Sequence, residues 1–186
     1  NIMPDLHLSQ LQIGWLNAAF ATCYTLAQIP GGVLGQRYGA RLMYTVIGLV
    51  GLVATIATPL APVVLAGTAL FVALLAAQGL LGLAQGPVFP MFAAVSQTWF
   101  PPRQWALANG GNALIMNIGG AMTAPLIVVL TAHYGWQGAL LWLAPPTVLL
   151  TVSWAWHGRD RPAEHPRVTA EELADLDASD MARPAP

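Results

Sequence analysis

The chain has 186 residues, of which 8% are charged and 56% hydrophobic; its seven basic residues are all arginine, and its formal net charge is -1. A soluble domain carries about 25% charged residues, so this composition excludes one and places the chain in a membrane. Residues 42–102 and 104–158 hold no charged residue, and because about 20 residues span a bilayer, each stretch is too long for one crossing and must double back. The expected fold is all-α, a polytopic transmembrane helix bundle. Cys23 is the single cysteine, so no internal disulfide is available. No basic region precedes the first apolar segment, so no signal peptide is evident.

Residues 1–9 read as a polar outer loop with Pro4 and Asp5, ending in Ser9-Gln10-Leu11-Gln12, the S-x-x-Q form of a capping box. The spacing predicts a first span over 10–34, carrying Asn17, Thr22, Tyr24 and Gln28. Pro30, Gly31, Gly32 and Gly39 then predict a sharp bend where a helix would otherwise continue. The second span is expected over 42–60, ending near Pro59 and Pro62. The third starts near 66, with Gly82-x-x-x-Gly86 allowing close approach to a neighbour; it bends at Pro87 and Pro90 and runs to Trp99. A fourth span over 105–131 and a fifth over 138–157 complete a five-helix bundle over 10–157. The polar tail 158–186 opens with a basic stretch, and Thr169 to Glu172 form a second capping box. Leu173, Leu176 and Met181 give that tail one weak apolar stripe, enough for a short surface helix.

Arg37 and Arg41, then Arg103, then Arg159, Arg161, Arg167 and Arg183 all fall on one side of the predicted spans, while the connections at 61–65 and 132–137 hold no basic residue. The positive-inside rule makes that side cytoplasmic, in a multi-pass protein of the plasma membrane. Tyr38, Tyr44, Trp99 and Trp154 anchor the basic side, and Trp15, Tyr134 and Trp136 the other.

Gln78 and Gln85 are two helical turns apart and share a face of the third span. A polar group in a membrane helix faces the bundle or a water-filled cavity, so the pair either joins helices or lines a cavity. Tyr24 and Gln28 are one turn apart on the first span, and Asn109, Asn112 and Met116 share a face of the fourth. For Tyr24 and Asn112 a cavity role and a structural hydrogen bond both remain open. His133 and His157 fall at the two membrane surfaces. Gly110-Gly111 and Gly119-Gly120 lie inside an apolar helix, where close packing is their expected use. No metal site, cofactor loop or catalytic triad is discernible, no nucleic acid is expected as a partner, and the spans hold no titratable group from which to build an enzyme.

The turn Gly32-Val-Leu-Gly-Gln-Arg-Tyr-Gly-Ala-Arg41 resembles the loop between the second and third helices of the major facilitator superfamily, through Gly32, Arg37, Gly39 and Arg41; Gln36 stands where that family usually has Asp. The segment Gln78 to Pro90, QGLLGLAQGPVFP, with Trp99-Phe-Pro-Pro102, is similar to helix four of its anion:cation symporters, and Ala19 to Gly32 and Arg159 to Leu173 are further stretches that resemble that family. The resemblance implies that the five spans correspond to helices two to six of the amino-terminal half. It implies further that the first helix and the carboxy-terminal half are partners outside this chain, and that the tail begins the loop between halves. It gives Tyr24, Gln28, Gln78, Gln85 and Asn112 as substrate-cavity positions, and Gly32, Gln36, Arg37, Gly39 and Arg41 as a gating loop at the inner face. Gln85 replaces the family's Glu and Gln78 its Arg; neither amide can bind a proton. The implied function is cation-coupled symport of a small organic anion, such as a sugar acid. An uncoupled facilitator, an organophosphate exchanger and a non-transporting scaffold are the alternatives.

Overall fold

The computed structural model describes residues 6 and 8–181. The outer loop expected over 1–9 therefore lies largely outside the described residues, as do Arg183 and the side chain of Met181. Seven α-helices follow in order: α1 Gln10–Tyr38, α2 Ala40–Val64, α3 Gly67–Gln85, α4 Val88–Trp99, α5 Trp105–Leu141, α6 Ala144–His157 and α7 Ala170–Met181.

Helix α1 begins as the capping box requires: the Gln12 N–H donates to Ser9 Oγ (3.2 Å) and the Ser9 N–H donates to Gln12 Oε1 (2.9 Å). Its other end corrects the expectation from sequence. The helix runs through Pro30, Gly31 and Gly32 to Tyr38, and only Gly39, at φ 86° and ψ 152°, breaks it. The turn is one residue long. Pro30 removes one helical hydrogen bond, but the glycines after it are occupied by packing. A Cβ on Gly35 would come 2.9 Å from Met91 Cγ, and one on Gly31 would overlap the Pro87 ring.

The same device operates in reverse higher in the bundle. There the glycines belong to α3: a Cβ on Gly82 would lie 3.0 Å from the Tyr24 nitrogen and closer still to the Phe20 carbonyl oxygen, and one on Gly86 would strike the Tyr24 carbonyl. So α1 and α3 touch backbone to backbone at Gly82 and Gly86, as the G-x-x-x-G spacing predicts. Below the break at Gly86-Pro87, α4 turns bulky residues toward the glycines of α1. The break follows from Pro87 and Pro90, which cannot donate to the carbonyls four residues back.

Helix α2 also outlasts its predicted end, continuing through Pro59 and Pro62 to Val64. It packs against α3 on one side and α6 on the other, where Gly48 meets Thr151. Gly135, at φ 70°, divides α5 into residues 105–134 and 136–141. The second piece and α6 then run antiparallel to α2, since Gln137 Nε2 donates to the Pro59 carbonyl (3.4 Å) and Ala155 lies beside Arg41. A further break at 142–143, absent from the sequence-based expectation, ends where Pro145 and Pro146 occupy the first turn of α6.

The protein is an all-α transmembrane bundle. Among the described residues, three stretches are long and apolar enough to cross a membrane: Ala40–Val64, Gly67–Trp99 and Pro102–His157, the last folding back at Gly135. Helix α1 is long enough at 29 residues, but Asn17, Thr22, Tyr24 and Gln28 leave it less apolar. Residues 105–134 are the least enclosed part of the bundle. Close packing does not explain their glycine pairs: among the described residues nothing comes within 4 Å of a Cβ on Gly110, Gly111, Gly119 or Gly120.

Candidate functional site

The helices enclose a cavity of about 430 Å³ toward the end of the bundle opposite Arg41. Its walls are mostly leucine, with Trp136, and five polar side chains converge on it: Asn17 from α1, Thr55 and Thr58 from α2, and Gln78 and Gln85 from α3. The seven-residue spacing of the two glutamines is what aims both into one space. Thr58 Oγ1 donates to the Ala54 carbonyl one turn back (2.9 Å). Among the described residues no hydrogen bond engages the side chains of Asn17, Gln78 or Gln85. Three carboxamides thus offer donors and acceptors in a largely apolar enclosure, where an unpaired polar group is costly until water or a ligand meets it. Among the described residues, no charged or titratable side chain lines the cavity.

Of the five cavity positions drawn from the sequence, the structure brings Gln78 and Gln85 together and leaves three elsewhere. Tyr24 stacks on Phe20, with ring centroids 5.8 Å apart, and its backbone abuts Gly82 and Gly86. Gln28, half-buried, lies one turn further along α1. Asn112 sits on α5 and points its amide at Met116 Sδ (3.8 Å). Asn109 and Asn117 bond to carbonyls of their own helix. Asn17, Thr55 and Thr58 were not singled out as cavity residues from sequence; Asn17 was visible only as a polar residue within an apolar span.

At the basic end, Gly32, Gln36, Arg37 and Gly39 line an open cleft of about 690 Å³ with Met91, Asp160, Arg161 and Glu164. Arg41 ties two helices together there. Its Nε and Nη2 both donate to the Ala155 carbonyl near the end of α6 (2.9 and 2.7 Å), and its backbone N–H donates to Asp160 Oδ1 (2.8 Å). A cation at the carboxyl end of one helix and a carboxylate at the amino end of the next both suit the helix dipoles. Gly39 is required twice over, by its positive φ and because a Cβ would enter the Asp160 carboxylate. Arg37 lies 5.5 Å above the Tyr38 ring. Asp160 was missed in the sequence, although one signal could have found it: it is the first acid after Asp5 and follows directly on the last span.

Tail helix α7 returns to this surface. Its capping box closes as expected, with Glu172 Oε2 accepting from the Thr169 N–H (2.9 Å) and the Glu172 N–H donating to Thr169 Oγ1 (3.3 Å). The Thr169 N–H, together with the Thr169 hydroxyl donating to the same oxygen (3.1 Å), holds the Glu172 carboxyl below the usual carboxylate range. Asp175 pairs with Arg103 (2.7 Å), and Leu176 lies in a cleft with Gln36, Phe100 and Pro101.

The sequence model of the Major Facilitator Superfamily matches residues 1–184. The chain belongs to that superfamily. Among its superfamily relatives, the protein named "Probable sulfoacetate transporter" from Cupriavidus necator is 31% identical over 175 residues, covering 94% of this chain and 39% of the relative. The Escherichia coli protein named "Probable galactarate/D-glucarate transporter" is 29% identical over 175 residues, covering 92% and 38%. The hexuronate transporter of Bacillus subtilis is 28% identical over 163 residues, covering 88% and 37%. The chain spans about two fifths of the length of these curated relatives.

Proposed function

We propose that this chain forms part of a secondary transporter for small organic anions, of the sugar-acid kind, working by alternating access at a site near the midplane. The observation that carries the reading is the convergence of Gln78, Gln85 and Asn17 on one cavity, with hydrogen-bonding capacity uncommitted to protein. Amides and hydroxyls of this kind suit the hydroxyl groups of a sugar acid. Relatives named for galactarate, D-glucarate and hexuronate support that substrate class. Tyr24, Gln28 and Asn112 enter the proposal as positions that meet substrate in another state of the cycle. Gly32, Gln36, Arg37, Gly39 and Arg41 form the gate at the cytoplasmic face, and the protein resides in the plasma membrane.

Transport is coupled to a cation, and a proton, if it is that cation, binds outside this cavity, because amides do not titrate. The second reading, an uncoupled facilitator, is favoured by the absence of titratable groups among the described residues of the cavity lining. An organophosphate exchanger would call for basic residues there, and the described residues of the lining include none. The test is uptake of labelled galactarate, glucuronate and succinate into cells expressing the intact gene, with and without a proton gradient. Uptake of the sugar acids that collapses with the gradient supports the symporter, and uptake indifferent to it supports the facilitator. Failure to take up any anion would overturn both.

A further inference from the structure

A second cavity, of about 500 Å³, opens between the basic ends of α4 and α6. Val95, Trp99 and Phe100 form one wall, Leu150 and Trp154 the other, and His157, Gly158, Arg159 and His165 close its mouth. The walls are carbon almost throughout; the mouth is where the nitrogen is. Arg159 is fixed there by Nη1, which donates to the carbonyls of Trp156 (2.9 Å) and Gly158 (2.7 Å). That leaves Nε and Nη2 without a partner among the described residues. His165 Nδ1 accepts from the Arg167 N–H (3.3 Å), so its Nε2 carries the ring proton and is a donor; the ring stands edge-on to Trp99 at 5.9 Å. No acid lines the groove. Asp160, adjacent in sequence, faces the Arg41 side and bonds its backbone N–H.

An apolar slot with an uncompensated guanidinium and an N–H donor at its mouth, at the level of a membrane surface, complements one molecule shape: acyl chains below a phosphodiester. We propose that this groove is a binding site for an anionic phospholipid of the leaflet on the basic side, with the phosphate at Arg159 and His165 and acyl chain against Trp99, Leu150 and Trp154. The preference for net negative charge follows from Arg159, beside which the ammonium of a zwitterionic headgroup would be repelled. The site is independent of which anion the protein carries.

The test uses protein expressed from the intact gene, purified in detergent and titrated by native mass spectrometry with phosphatidylglycerol and, separately, phosphatidylcholine. Phosphatidylglycerol is expected to bind more tightly. Arg159→Gln should weaken it about fivefold, the factor equivalent to about 1 kcal/mol for a basic residue near an anionic surface, while Arg159→Lys should retain it. Ser153→Phe, which fills the slot and leaves the rim charge, should weaken both lipids, and it decides the matter where Arg159→Gln does not fold. Equal binding of the two lipids, or phosphatidylglycerol binding unchanged in Arg159→Gln and Ser153→Phe, overturns the proposal. So does a Ser153→Cys thiol, in a background from which every native cysteine of the intact protein has been removed, that stays closed to maleimide after delipidation, because the polypeptide itself then fills the groove.

Discussion

Replacing Gly82 by alanine tests the backbone contact between α1 and α3 with a single methyl group. The added Cβ would sit 3.0 Å from the Tyr24 nitrogen, 3.1 Å from Cys23 Cβ and nearer still to the Phe20 carbonyl oxygen. Two of these three atoms are backbone in mid-helix and cannot swing aside, so α1 must back away along the whole stripe facing Gly79, Gly82 and Gly86. Overpacking costs about 1–3 kcal/mol, and a rigid obstacle places this site in the upper part of that range. Alanine returns about 1 kcal/mol through its better helix propensity, leaving a net loss of about 1–2 kcal/mol. The control is Gly51→Ala in α2, where nothing lies within 4 Å of the new atom and only the propensity gain applies. Thermal unfolding in detergent, followed by tryptophan fluorescence, should put Gly82→Ala about 2–8 °C below the parent, since 1 kcal/mol is worth about 2–4 °C at this size. Gly51→Ala should melt at or above the parent. If Gly82→Ala is as stable as Gly51→Ala, the helices are not in backbone contact and the reasoning fails.

Asp160→Ala removes the acceptor at the start of α2 and should cost about 1 kcal/mol, the usual worth of a helix-start acceptor. Gly39→Ala should cost roughly 1–2 kcal/mol from the left-handed backbone alone, with more from the collision with Asp160. The double variant should therefore be less destabilised than the sum, and strict additivity by the same melting assay would contradict the contact. Glu172 supplies the pH dependence. Its carboxyl titrates lower in the folded chain than in the unfolded one, so its contribution to the start of α7 is present above the unfolded value and lost as pH falls through the folded one. Amide protection over 170–176 should decline between roughly pH 5 and pH 3, and in Glu172→Gln that decline should be absent.

What was legible in the sequence was whatever depends on one helix at a time. The Ser9–Gln12 and Thr169–Glu172 boxes are local hydrogen-bond patterns, and Gln78 and Gln85 share a face by spacing alone. Pro30, Gly31 and Gly32 misled for the complementary reason. Read singly they are breakers, yet here Gly31 and Gly32 seat Pro87 and Pro90, residues more than fifty positions away. Pro59 and Pro62 were misread in the same way, as α2 continues through both. Which face of α1 or α5 meets the cavity depends on how each helix is rotated against its neighbours, and no single-helix pattern encodes that. Hence Asn17 reached the cavity unpredicted, while Tyr24 faces Phe20.

The fastening of Arg41 has an electrical consequence. Its guanidinium is held by a neutral carbonyl, that of Ala155, and the nearby carboxylate of Asp160 is held by an uncharged N–H. Geometry is fixed without either charge being cancelled by contact with the other. Arg41 therefore anchors α6 through hydrogen bonds to neutral groups and keeps its positive charge unpaired by contact. The Arg103–Asp175 pair on the same surface is a bond between opposite charges, and is the one that salt would loosen.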